Sequence, residues 1–369
     1  MKQIHFRMKT RVIPLIQTPL GTAIAIMSLA SAALWISAPL SARAGLEEGI
    51  AAAYRGDYAT ALLELRQPAE GGNAVAQVHL GHLFLNGMGV PKNSNAAAGW
   101  YSKAAAQGDA DGQNHLGSMY EYGRGVDLDT NRALSWYLKA AAQGHTQAQN
   151  TLGWMHEHGR GIAKDEQKAV LWYRKAAEQG LAQAQHSLGL MYASGRGVTR
   201  DEKEAVHWYR KAAAQGHARA QNSLGLMYAT GRGVAIDEAE AVSWFRKAAE
   251  QGHADGQCYL GSMVATGRGV TKDEKVALRW FRKAAEQGHA DGQIHLGWMI
   301  EHGLGTAKDE TEAAAWYRKA AEQGHADGQV NLGWLYEHGL GVPKNEAEAA
   351  GLYNKAAAQG HDGQRTPSW

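Results

Sequence analysis

A Leu-Gly pair stands at Leu80, Leu116, Leu152, Leu188, Leu224, Leu260, Leu296 and Leu332, and every interval is 36 residues. An aromatic pair keeps the same period: Trp100-Tyr101, Trp136-Tyr137, Trp172-Tyr173, Trp208-Tyr209, Trp244-Phe245, Trp280-Phe281 and Trp316-Tyr317, with Leu352-Tyr353 last. Thirty-six residues cannot enclose a core alone, so each unit must bury its apolar face against its neighbours. The chain therefore reads as a solenoid in which eight units tile residues 73 to 360 of 369. Twelve Trp and 14 Tyr supply the apolar surface that a disordered chain lacks.

Residues 145 to 180 show how one unit is built. Ala169, Trp172, Tyr173, Ala176 and Ala177 fall at offsets 0, 3, 4, 7 and 8, the stripe of a core-facing helix. This second helix of the unit, helix B, starts after Asp165, a favourable N-cap followed by Glu166 in the first turn, and ends at Gly180. Ala148, Leu152, Met155 and, more loosely, His156 define an earlier amphipathic helix A. Between them Gly159-Arg160-Gly161 gives a tight reversal, with counterparts such as Gly195-Arg196-Gly197.

This pattern of LG near the middle of helix A, a GxGV loop, Asp or Asn before helix B, then A-x-x-W-Y-x-K-A-A-x-Q-G resembles the SEL-like repeat family, the Sel-one-like repeats, which are relatives of the tetratricopeptide repeat. The resemblance covers about residues 56 to 360. It implies an all-α, right-handed α-solenoid of eight antiparallel helix pairs, with helix A on the concave side where ligands dock. Residues 45 to 72, containing Tyr54-Arg55-Gly56-Asp57-Tyr58, read as a degenerate N-terminal capping pair. Residues 361 to 369 are expected to begin another helix A and stop.

The first 44 residues differ from the rest. Lys2, Arg7, Lys9 and Arg11 precede the apolar run Thr22 to Ile36, and Ala42-Arg43-Ala44 places small residues where a signal peptidase cuts. A cleaved export signal is expected, with an uncleaved anchor formed by Pro14 to Ile36 as the alternative. Removing residues 1 to 44 takes away five basic and no acidic residues and turns a formal charge of +2 into −3. The basic balance thus belongs to the leader and gives no support to a nucleic-acid partner. With Cys258 the sole cysteine, no intramolecular disulfide can form.

A catalytic or cofactor reading finds little to use. The glycine loops lack the strand and the fixed frame of a phosphate cradle. Recurring histidines at His145, His217, His253, His289, His325 and His361 sit a helix-pair layer apart, too far for one metal. Lys103, Lys139, Lys175, Lys211, Lys247, Lys283, Lys319 and Lys355 form either a basic stripe or solvated helix ends interleaved with Glu. No enzyme, metal or cofactor is expected.

Positions that vary between otherwise matching repeats point to a partner surface. In helix A one stripe, expected to lie roughly opposite the core, opens on Asn150, Ile294 and Val330 in repeats 3, 7 and 8 and continues as Trp154, Glu157, His158 in repeat 3, Trp298, Glu301, His302 in repeat 7 and Trp334, Glu337, His338 in repeat 8. Repeats 4 to 6 are small and bland there. A Trp beside a carboxylate and an imidazole makes an interface anchor, so the nine Trp, Glu and His residues are the expected partner-binding set. The alternative packs the Trp rings sideways and leaves Glu and His solvated.

What the resemblance implies for function is a non-enzymatic adaptor or scaffold of a bacterial envelope that binds another protein. Contact with host proteins is a further possibility. A cysteine-rich branch of the family has been associated with penicillin binding and β-lactamase activity, but its paired cysteines are missing here.

Overall fold

The computed structural model describes residues 40–365. The export signal expected over residues 1–44 lies, up to residue 39, outside the described residues, as do the last four residues of the expected tail. Residues 40–44 begin the first helix, Leu40–Arg55, which pairs with Tyr58–Glu70 as the N-terminal cap. Sixteen further helices follow as eight A/B pairs, from Ala74–Asn86 to Glu346–Ala357, with no strand among the described residues. Each helix packs on its sequence neighbours, and the long-range approaches run between successive A helices rather than between B helices. The A helices therefore line the inner side of the solenoid.

Caps set the helix lengths. In repeat 3, Asp165 Oδ1 accepts from the Lys168 backbone N–H at 2.9 Å and starts helix B, Glu166–Glu178. Helix A, Thr146–His158, ends at Gly159, whose φ of 69° lets the next N–H, that of Arg160, reach back to the Met155 carbonyl. Four of the recurring turn histidines, His145, His217, His253 and His289, cap helix A through Nδ1. His145 Nδ1 accepts from the Ala148 N–H at 3.0 Å, so the ring proton sits on Nε2, which donates to Asp111 of the preceding repeat at 2.9 Å. The same Nε2-to-Asp link recurs at His289 and His361, and His325 Nε2 lies 2.8 Å from Asp291. They tie neighbouring units together.

The Leu-Gly glycine is where helices A and B meet. A Cβ at Gly153 would lie 2.6 Å from the Tyr173 ring, and the same glycine-on-ring contact recurs in all eight repeats, from Gly81 on Tyr101 to Gly333 on Tyr353. Both glutamines of the repeated KAAEQGHADGQ stretch have work that sequence reasoning did not foresee. Gln149 is buried, donates to the Ala141 carbonyl of the unit before and accepts from Gln179 at 2.7 Å. That Gln–Gln bond occurs once per repeat through to Gln359–Gln329, satisfying amides that would otherwise be buried without partners. The stretch holds the array together.

The second loop glycine joins successive repeats. Gly197 has φ of 64°, and any Cβ there would overlap the Glu166 carbonyl at the start of the preceding helix B. Gly180 also has a positive φ, 96°, but open space around it. We therefore expect Gly180→Ala to cost about 1–2 kcal/mol through its left-handed backbone alone. Gly197→Ala should cost more, by roughly a further 1–3 kcal/mol of overpacking, while Gly153→Ala, inside a helix, should cost about 1–3 kcal/mol of overlap with the Tyr173 ring, offset by up to about 1 kcal/mol of helix propensity. Urea titrations of the three variants check these costs.

Candidate functional site

The expected stripe divides in the structure. Its first position is not opposite the core: Ile294 and Val330 are 2% and 1% exposed, and Asn150, Cys258, His186 and Asn222 at the equivalent place are buried too. Close approach of successive A helices on the inner side covers this position, so its variation records repacking between neighbours. The remaining three positions form a repeated assembly.

In each copy the histidine stacks on the tryptophan one turn earlier. Ring centroids are 4.8 Å apart for Trp154 and His158, 4.1 Å for Trp298 and His302, and 4.3 Å for Trp334 and His338. The histidine Nδ1 lies 3.0, 2.9 and 2.9 Å from the carbonyl oxygen of that same Trp. A carbonyl only accepts, so Nδ1 carries the proton and Nε2 faces outward as an acceptor in the neutral ring. The last turn of the helix is closed by its own side chain. Trp154, 36% exposed, is the most open of the three rings; Trp298 and Trp334 are half-buried.

The glutamate turns toward the tyrosine of helix B, buried at Glu301, half-buried at Glu157 and exposed at Glu337. Glu157, Glu301 and Glu337 accept the hydroxyl protons of Tyr173, Tyr317 and Tyr353 at 2.6, 2.7 and 2.8 Å, and Glu121 of repeat 2 does the same with Tyr137. Burial first, and the adjacent carboxylate next, hold the Tyr137, Tyr173 and Tyr317 phenols above their ordinary range, which keeps them donors. Repeats 5 and 6, with Ala229 and Ala265 in place of Glu, carry Phe245 and Phe281 in place of Tyr. Glu stands only in repeats that carry Tyr, while Tyr101 and Tyr209 stand beside Leu85 and Ala193, so the signal in the sequence runs one way.

A cation completes three of the four carboxylates, those of Glu121, Glu157 and Glu301. The loop arginine of the next repeat supplies it in the N-terminal half: Arg160 lies 3.5 Å from Glu121, and Arg196 lies 2.8 Å from Glu157. Repeats 7 and 8 carry Leu304 and Leu340 at that loop position. Arg365 reaches Glu301 instead, from a segment, residues 361–365, that does not begin a ninth helix A. Residues 361–365 are non-helical: Gly360 breaks the helix with φ of 82° and the segment folds back over repeats 7 and 8.

The lysine ladder lies on the B helices. Seven of its lysines, from Lys103 to Lys319, sit over the Trp three residues earlier, at 3.8 to 4.5 Å from the ring centroid. Cys258 is buried, and burial pushes its thiol pKa up. Among the described residues no group of three or more His, Cys, Asp or Glu side chains could hold a metal, and no helix is long and apolar enough to cross a membrane.

Buried histidines line the A helices. Burial depresses His79 and His295 to about 4 and His115 and His186 to about 3. Their folded pKa values lie below the unfolded value, so acid adds protons to the unfolded chain first and stability falls as pH drops from about 6.5. We expect a loss of about 1–2 kcal/mol per such histidine between pH 7 and pH 5. Replacing His186 with Asn should flatten the pH dependence of the melting temperature over that range.

The Sel1 repeat profile matches residues 74–109, 110–145, 146–181, 182–217, 218–253, 254–289, 290–325 and 326–361. Among solved structures, one similar chain is c5321, described as a protective antigen present in uropathogenic Escherichia coli strains and displaying an SLR fold. It is 43% identical with a TM-score of 0.72, covering 81% of this chain and 64% of its own length. A Sel1 repeat protein from Oxalobacter formigenes is 35% identical with a TM-score of 0.61, covering 82% of this chain and 87% of its own. No curated protein matches the sequence.

Proposed function

Because the chain belongs to the Sel1 repeat family, whose members are generally protein-interaction scaffolds, we propose that it is an exported, non-catalytic scaffold of a bacterial envelope that holds a partner protein on its inner, helix A face. The observation that carries this reading is the placement of large aromatic rings there. Trp154, Trp298 and Trp334 lie on the A helices of repeats 3, 7 and 8, each backed by a stacked histidine and near a carboxylate oriented by a tyrosine. Repeats 4 to 6 offer Leu190, Leu226 and Ser262 at the same position. Rigid, partly exposed Trp rings with fixed polar neighbours are what interface anchors require.

Export is supported by the basic start, the apolar run and the small residues at Ala42 and Ala44. Affinity capture from envelope extract tests the scaffold reading, comparing the chain with its Trp154→Ala, Trp298→Ala, Trp334→Ala triple variant, both folded by circular dichroism. A partner retained by the unmodified chain and reduced at least tenfold by the variant is the expected result. Equal capture by both would move the working surface off helix A.

A further inference from the structure

We propose that the cleft between the A helices of repeats 7 and 8 is a receptor for a single arginine side chain of a partner protein, and that the chain's own Arg365 occupies it until that partner arrives. This deepens the scaffold reading and rests on it. Three contacts converge on the Arg365 guanidinium. Its Nη2 donates to Glu301 Oε2 at 2.6 Å, its Nε donates to Asn331 Oδ1 at 2.8 Å, and its centre lies 3.9 Å from the Trp334 ring centroid. Trp298 stands on a second side at 5.5 Å.

With Arg365 seated, both acceptors are buried. Glu301 has 5% of its side chain exposed and is oriented by the Tyr317 hydroxyl, and Asn331 is 1% exposed. Two acceptors at different guanidinium nitrogens and an aromatic floor suit a planar fork. A lysine ammonium, a point charge, cannot reach both acceptors while lying flat on the ring.

The repeat framework leaves this cleft open. In repeat 3 the equivalent carboxylate, Glu157, is neutralised by Arg196 of the following loop, a residue built into the solenoid. At Glu301 that loop position is Leu340, so a buried carboxylate must take its cation from elsewhere, and leaving it unpaired is costly. Arg365 comes from a non-helical terminal segment whose other tether to the repeats is His361 on Asp327 at 2.9 Å. A cation delivered from outside the A/B helix framework competes through its local concentration and yields to a better-placed arginine.

The test uses the full chain, wild type and Arg365→Ala, titrated into a fluorescein-labelled peptide Gly-Gln-Arg-Thr-Pro, the sequence of residues 363–367, and read by anisotropy. Removing the resident arginine should tighten binding at least tenfold relative to wild type. Exchanging the peptide's Arg for Lys or Ala should weaken binding to Arg365→Ala at least tenfold. Adding Glu301→Gln to Arg365→Ala should abolish binding; if that change unfolds repeats 7 and 8, Trp334→Leu takes its place with the same expected loss. Equal binding by wild type and Arg365→Ala, equal binding of the Arg and Ala peptides, or no binding by either protein overturns the proposal. Trp-dependent capture of a partner without peptide binding would remove the arginine assignment and leave the scaffold standing. Peptide binding without any capture would support the cleft and count against the scaffold.

Discussion

Everything in this solenoid depends on a hydrogen atom standing where a side chain would be. The Leu-Gly glycine brings helix A onto the face of the helix B ring, in repeat after repeat. Only at that separation does the Tyr173 hydroxyl, at the far end of the ring, reach Glu157 on the helix A surface. The packing contact at the core and the polar arrangement at the inner face are two ends of one side chain. A larger residue at Gly153 would therefore disturb both.

The same logic explains why polar groups accumulate without orphaning one another. Each repeat carries a glutamine pair, an N-cap and, where Glu is present, a tyrosine hydroxyl, and most find partners within the unit or in the next one. One exception sits where a copy has lost a member of its pair. Tyr101 keeps its hydroxyl buried without a partner, because Leu85 holds the place that Glu takes in repeats 2, 3, 7 and 8. Divergence between copies is thus visible as unmet hydrogen bonds.

Much of this was legible in the sequence, and the reasons for the remainder are physical. The period, the Asp165 cap and the glycine reversals are local features, fixed by propensity and spacing, and they appear where the spacing put them. The Trp, Glu and His of repeats 3, 7 and 8 do share one assembly with the same internal geometry in each copy. What spacing along one helix could not supply was the direction of the glutamate, because its partners lie 16 residues away on helix B and, for Glu157, in the next repeat. Nor could it show that Ile294 and Val330 are covered, since curvature of the array, not the helix itself, closes that position. Arg365 was hidden for the same reason: it meets Glu301 across 64 positions of sequence.

The loop arginines give the array a direction. The helix A carboxylates Glu121 and Glu157 are answered by the loop arginine of the unit after them, so these units are matched in order as well as in shape. Excising residues 182–217 would bring Arg232 opposite Glu157 in place of Arg196, and the junction would close with its charges balanced. Moving repeat 8 into that place would bring Leu340 there and leave Glu157 unanswered. Shuffling of such units is therefore governed by a rule of succession, and a chain that grows or shrinks by whole repeats keeps its charges paired only when that rule is obeyed.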